Sequence, residues 1–294
     1  MSKMVISGSD VTFGLLEELM KQLKANANDP SKGISGAQLR AFLEHRNPFD
    51  QGEIEKVLPY ADEETLSCLR YPKEFGFMGI GYQAENLQGI FPHLKGFDPE
   101  QVVRYICNTM PKCGEAWAAI PKPDKIAENY YEAFQTVLKE ISQRLSFSNL
   151  LEGKLEHNSL RLPSKGGTEL LQMSSVLEGD FFLIPYQFGM RHGGKSNRRA
   201  RVCFTANEFG LGPYEAAILL LIYPARLNNS ELNILCSGCD YDYDLSSEYS
   251  FCISFRYENE LLLDCVKNDE VQYNFGAVSG FKPAESEFRL REHE

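Results

Sequence analysis

Gly189-Met190-Arg191-His192-Gly193-Gly194-Lys195-Ser196 spells G-x-x-x-x-G-K-S, the pattern of the phosphate-binding loop of nucleotide triphosphatases. In such a loop, glycines let backbone N–H groups close on phosphate oxygens, and a helix start behind them favours the anion. Arg198, Arg199 and Arg201 extend the positive run, and no acid stands between Asp180 and Glu208. Arg191, His192, Gly193, Gly194, Lys195, Ser196, Arg198, Arg199 and Arg201 are therefore the candidate anion-binding residues. They form a local reversal of sign in a chain of net charge −11. An acidic chain repels nucleic acid over most of its surface, so any phosphate contact must be confined to such a patch.

The pattern alone does not make a nucleotide triphosphatase. That chemistry needs further parallel strands, one ending in a metal-binding Asp. Asp264 is the candidate, but its segment Leu261–Cys265 reads as half of a hairpin, the wrong topology. A basic, glycine-rich loop that holds some other anion is the broader expectation. A solvated turn whose arginines pair with the chain's own acids is the alternative.

Other residues with chemical potential are sparser. Cys236-Ser237-Gly238-Cys239 is a lone C-x-x-C, and zinc would need two more ligands, with Cys252 and Cys265 as options. A redox pair is a second option, and two unrelated buried thiols a third. Asp240, Asp242 and Asp244 alternate with tyrosines, a spacing that suggests calcium, a solvated acidic loop or internal partners for the basic stretch. The helix-loop-helix calcium pattern fails, because its sixth and twelfth positions are Leu245 and Phe251. Of the five histidines only His192 has unusual surroundings, as a low-ranking acid or base with no partner visible in the sequence.

The elements that would carry these residues are mixed. Leu15, Leu16, Leu19, Met20 and Leu23 mark a helix over 11–27, and Ser35-Gly36-Ala37-Gln38 starts a second. Residues 53–58 and 62–69 read as short helical turns, 71–82 as extended structure and 99–108 as a helix. Trp117–Pro121 is an apolar connection. Asp124–Leu145, with its stripe from Ile126 to Leu145, is the clearest helix. Phe181–Phe188 reads as a buried strand interrupted by Pro185, Asn197–Phe209 as a helix and Pro213–Tyr223 as a buried helix. Leu232–Cys236, Ser250–Tyr257 and Leu261–Cys265 read as strands, the last two paired across Glu258-Asn259. The expected fold is α+β: a largely helical N-terminal region (1–150) and a mixed C-terminal domain (151–294) with a small, mostly antiparallel sheet carrying the basic loop.

Several phrases also resemble an uncharacterised family from candidate-phyla bacteria of the Patescibacteria type. They are Ile34–Phe49 (ISGAQLRAFLEHRNPF), Trp117–Pro121 with Lys125-Ile126-Ala127, Gln187–His192, and Asn207–Gly212. The resemblance spans residues 34 to about 240 and implies no established activity. Its loop pattern, Arg-His-x-Gly-x-Ser-x-Arg-Arg-Ala-Arg, is filled by Arg191, His192, Gly194, Ser196, Arg198, Arg199, Ala200 and Arg201. The position matching Lys195 often carries Arg there, a poor stand-in for the compact lysine of a nucleotide triphosphatase.

The first residues show no basic region followed by an apolar core, and the longest apolar run is far short of the ~20 residues of a membrane helix. The expectation is a cytoplasmic chain with reduced cysteines and no membrane or cofactor. It is a non-enzymatic binding protein holding RNA or a ribonucleoprotein through the loop. The alternatives are an enzyme acting on a nucleotide or phosphorylated metabolite, and an assembly protein whose loop meets an acidic neighbour in a homo-oligomer.

Overall fold

The structure is a computed structural model, and it describes residues 13–28, 39, 59–106, 110–161, 170, 177–227, 232–242 and 250–283. Contacts divide the chain into two compact units between Val57 and Leu58. The first unit contributes helix α1 (Phe13–Asn28), close to its expected span. The helix expected from Ser35 and the turn at 53–58 lie almost wholly outside the described residues. The second unit carries everything else and is mixed, with both helices and antiparallel sheets.

In chain order the second unit runs α2 (Ile80–Ile90), α3 (Pro99–Ile106), β1 (Ala116–Pro121), α4 (Pro123–Ile126), α5 (Tyr130–Arg144), β2 (Phe147–Asn149), β3 (Leu160–Arg161) and β4 (Phe181–Gln187). It continues with α6 (Asn197–Val202), β5 (Glu208–Gly210), α7 (Pro213–Ile222), β6 (Asn233–Leu235), β7 (Asp240–Tyr241), β8 (Phe251–Tyr257), β9 (Leu261–Lys267), β10 (Phe275–Ala277) and β11 (Ser279–Phe281). Two sheets form instead of one small one. The first has the order β1-β4-β11-β5 and is antiparallel throughout. The second has the order β10-β6-β8-β7-β3, with β9 against β8 and β2 against β9. It is parallel at β10/β6 and β2/β9 and antiparallel elsewhere.

Three expectations are corrected. Trp117–Pro121 is not a connection but part of β1, with Ala116 opposite Tyr186 and Pro121 opposite Phe181. The helix expected over 124–145 breaks into α4 and α5. Ala127 is extended, and the Asn129 side chain accepts from the Glu132 N–H at 3.0 Å, so Asn129 starts a new helix in place of continuing the old one. The helix expected over 197–209 stops at Val202, because Glu208–Gly210 is taken into the first sheet against β11. Turn bonds at 205–208 make the switch: Glu208 N donates to Thr205 O, and Thr205 N donates to the Glu208 carboxylate.

Phe181–Gln187 is the expected buried strand, but the interruption expected at Pro185 does not occur, and β4 runs unbroken through it. Pro185 lacks an N–H, and the recorded pairing to β11 stops one residue short of it, at Tyr186. Helix α7 is apolar nearly all round, with Glu215 its one charged residue, and is buried at nine of its ten positions. It packs on the stripe of α5, where Ala133, Phe134, Val137, Leu138 and Ile141 are buried. Each large side chain there contributes on the order of 2 kcal/mol by leaving water. β8 and β9 form the expected hairpin, with Tyr257 opposite Leu261 and Asn259 in the left-handed region (φ 65) at its turn.

β1 is an edge strand, and its outer side is closed by a side chain. The buried Gln83 of α2 donates its amide N–H to Trp117 O at 2.8 Å, and its Oε1 accepts from Ala119 N at 2.9 Å. Gln83→Leu would strand both backbone groups. The expected cost is about 2–4 kcal/mol in unfolding free energy, read by denaturant titration. An unchanged midpoint would show that the edge is satisfied in another way.

Candidate functional site: the glycine-rich basic loop

The local context of the loop is as the sequence implies: strand β4, then the loop, then helix α6. Gly189 is left-handed (φ 109), Met190–His192 makes one 3-10 turn, and Gly194 is left-handed again (φ 77). Ser196 caps α6, its Oγ accepting from Arg199 N at 3.1 Å.

The occupant of the loop is the chain itself. Residues 63–67 and 275–276 lie where a ligand would have to approach. A Cβ on Gly194 would stand 2.1 Å from Thr65 O, and one on Gly276 would stand 2.2 Å from Gly189 O. Gly193 bridges Gly276, and Lys195 bridges Glu64. The backbone N–H groups are committed in the same way. Gly189 N donates to the Gln187 side chain and Met190 N to Tyr71 Oη. His192, Gly193, Gly194 and Lys195 donate to Gly189 O, Met190 O, Phe275 O and His192 O. Ser196 N and Arg198 N donate to Glu63 O and Asn268 O. A nucleotide-binding loop needs these groups to converge on a ligand. Here the glycines serve close approach of the chain's own backbone, and the G-K-S match is a coincidence of spelling.

The charge reversal seen along the sequence is also closed in space. Arg198 grips Glu63 through Nε, at 2.7 and 2.8 Å, and through Nη2, while Ser196 Oγ donates to the same carboxylate at 2.7 Å. Arg199 pairs with Glu64 at 3.0 Å, Arg191 with Glu208 at 3.4 Å and Arg201 with Asp240 at 2.7 Å. Among the described residues Lys195 has no ion-pair partner. Five cations thus face four carboxylates. Hydrogen bonds from Arg198, with a further one from Ser196, hold the Glu63 carboxyl below its ordinary range despite its partial burial.

His192 has a partner that the sequence did not reveal. It is 2% exposed, and its Nε2 lies 2.8 Å from Glu208 Oε1. Glu208 is fully buried and also accepts from Ser279 Oγ at 2.6 Å and Thr205 N at 3.1 Å. Burial alone would raise the Glu208 carboxyl, but the hydrogen bond and charge of His192, with the Ser279 and Thr205 bonds, hold it down to about 2. Burial pushes the His192 imidazole below its ordinary value against the pull of Glu208. This is not a nucleophilic triad. In a triad the serine bonds the histidine; here Ser279 and His192 share one oxygen of the same carboxylate.

No family model, curated protein or solved structure matches the chain. The site is therefore read from its own geometry.

A pH dependence follows from the buried pair. The folded value of His192 lies below its free value of 6.5, so the unfolded chain takes up the proton first. That contribution is whole above about pH 6.5 and shrinks as pH falls. The folded value of Glu208 lies below 4.5, so its contribution is whole above that value and is lost as pH falls towards about 2. Urea midpoints should fall in two stages on acidification, the second worth on the order of 3 kcal/mol. A midpoint flat between pH 7 and 3 would contradict the pairing.

The C-x-x-C turn turns out to hold an arginine. Arg201 donates to Ser237 O at 2.8 Å and Cys239 O at 3.1 Å. Gly238 lies so close to Gly210 that a Cβ would stand 2.4 Å from its carbonyl. Cys236, Cys239 and Cys252 are buried free thiols, and burial pushes Cys252 up to about 12. Among the described residues no group of three or more His, Cys, Asp or Glu is placed to hold a metal. Asp240 pairs with Arg201, which fits the internal-partner option for the basic stretch, whereas Asp242 pairs with Arg161 outside that stretch; Asp244 lies outside the described residues.

Glu63, Glu64 and Glu208 were missed by sequence reasoning. The first two sat in an expected helical turn and the third in an expected helix. The one available signal was arithmetic: a run of arginines in an acidic chain has acids to meet.

Proposed function

We propose that this is a non-enzymatic cytoplasmic binding protein that holds the phosphate groups of single-stranded RNA, free or in a ribonucleoprotein, through Arg198, Arg199 and Lys195, with Arg191 at the margin. One observation supports this reading above others. The Arg198 guanidinium and the Ser196 hydroxyl already hold a carboxylate, and the arginine fork fits carboxylate and phosphate alike. An exposed aromatic ring also lies close in sequence to a residue that bonds the loop: Tyr273, 62% exposed, is two residues from Phe275, whose carbonyl accepts from Gly194 N. Such a ring is a sequence-tolerant platform for an unstacked base. Burial of His192, and the lack of a serine on its imidazole among the described residues, weigh against the enzymatic reading.

The test is binding of a labelled single-stranded oligoribonucleotide by anisotropy across a salt series. The expected result is an affinity that falls steeply with salt, and a loss of about tenfold or more in Arg198→Ala/Arg199→Ala. No binding at low salt, or an affinity untouched by the double change, would overturn the reading.

An assembly role is the second reading, because an acidic segment of another copy has the chemistry to replace Glu63-Glu64 on the loop. It predicts a mass that rises with concentration and no affinity for RNA.

A further inference from the structure

We propose that residues 59–66 are a detachable electrostatic strap, a built-in competitor that covers the loop's cations with carboxylates until an external anion displaces it; this rests on the function proposed above. The strap's attachments are charges and a short backbone edge. Glu63 sits on Arg198 and Ser196, Glu64 on Arg199, and Pro59 O accepts from Arg199 Nη1 at 3.1 Å. Thr65 N donates to Gly194 O at 2.7 Å, and Ser196 N donates to Glu63 O at 3.0 Å.

Apolar anchoring is missing from the same stretch. Pro59, Ala61, Asp62, Glu64 and Thr65 are exposed, Tyr60 is 41% exposed and Leu66 83%. Glu63 is the buried residue of the strap, and it is held by ions and hydrogen bonds.

The adjoining segment is built in the opposite way. Tyr71, Phe75 and Phe77 pack edge-to-face on one another at 4.9–6.2 Å, and Phe75 and Phe77 pack on Phe188, Tyr186 and Tyr223. Tyr71 Oη donates to Glu115 at 2.6 Å. Residues 71–78 are thus pinned by aromatic packing, which salt does not weaken, and 59–66 by ion pairs, which salt screens. The hinge falls at 67–70. Departure of the strap removes Asp62, Glu63 and Glu64 together and leaves Lys195, Ser196, Arg198 and Arg199 as one cationic face.

Hydrogen exchange read by mass spectrometry on the full chain tests the strap directly. Glu63→Gln/Glu64→Gln should speed exchange at 59–66 by about tenfold while 71–78 keeps its protection. The wild-type chain in high salt should show the same contrast, which covers the case in which the variant folds poorly. Protection of 59–66 unchanged from the low-salt wild type, both in the variant and in high salt, would overturn the strap. The second arm measures single-stranded RNA binding at low salt, where the double variant should bind about tenfold tighter than the wild type. A strap that opens without any gain in RNA binding would leave the latch standing and overturn the RNA reading and the competitor role.

Discussion

Glu208→Ala should lower the unfolding free energy by roughly 3–5 kcal/mol, the sum of about 1–3 kcal/mol for each buried polar partner left without its hydrogen bond. The carboxylate is fully buried and is the shared acceptor of His192 Nε2, Ser279 Oγ, Thr205 N and Arg191 Nε. Removing it strands a buried imidazole and a buried hydroxyl, and unties the 3-10 turn of the loop from β5 and β11. For a unit of this size the melting temperature should drop by on the order of 10 °C. Glu208→Gln keeps the shape and one acceptor and should recover part of the loss. It should also flatten the acid limb below pH 4.5, because the titrating group is gone. A loss under about 1 kcal/mol for the alanine change would mean that the network does not hold the loop.

Gly194→Ala should cost about 2 kcal/mol or more, and it should act on the strap as well as on stability. Two penalties meet there. The left-handed backbone (φ 77) disfavours any Cβ by about 1–2 kcal/mol, and the new atom would stand 2.1 Å from Thr65 O, a backbone atom that cannot swing aside. The strap must lift to make room, so exchange at Thr65 should rise with the loss of stability. Gly153→Ala is the internal control. Its φ of 72 is equally unfavourable, but nothing lies within 4 Å of its Cβ, so only the conformational cost applies. Equal effects at the two positions would show that crowding by Thr65 is not the cause.

The fold was legible where one element decides its own fate. Helix α7 carries an apolar run from Ala216 to Ile222 behind Pro213, and the β8–β9 hairpin has strong strand formers on both sides of a short polar turn. The strand-loop-helix frame of the loop was legible for the same reason. What could not be read were pairings between distant residues. Glu63 lies 135 positions from Arg198, and Asp240 lies 39 from Arg201. Charge along a sequence is a one-dimensional quantity, whereas the field at Arg198 is set by whatever the fold brings beside it. Residues 197–209 misread for a related reason: the open edge of β11 claims Glu208, Phe209 and Gly210 for the sheet. The glycines were read correctly as sites of close approach and wrongly as to what approaches.

Gln83 has a meaning for cells as well as for stability. A β-sheet that ends in bare backbone is a template on which another chain can add a strand. In the first sheet the outer groups of Trp117 and Ala119 are occupied by one amide side chain, which ends the sheet at β1 as a foreign strand would, without offering a further edge. Loss of that amide would therefore do more than loosen α2. It would leave an apolar strand, Ala116 to Pro121, open to pairing with its like, and partly unfolded molecules would be recruited into insoluble polymer before they could refold.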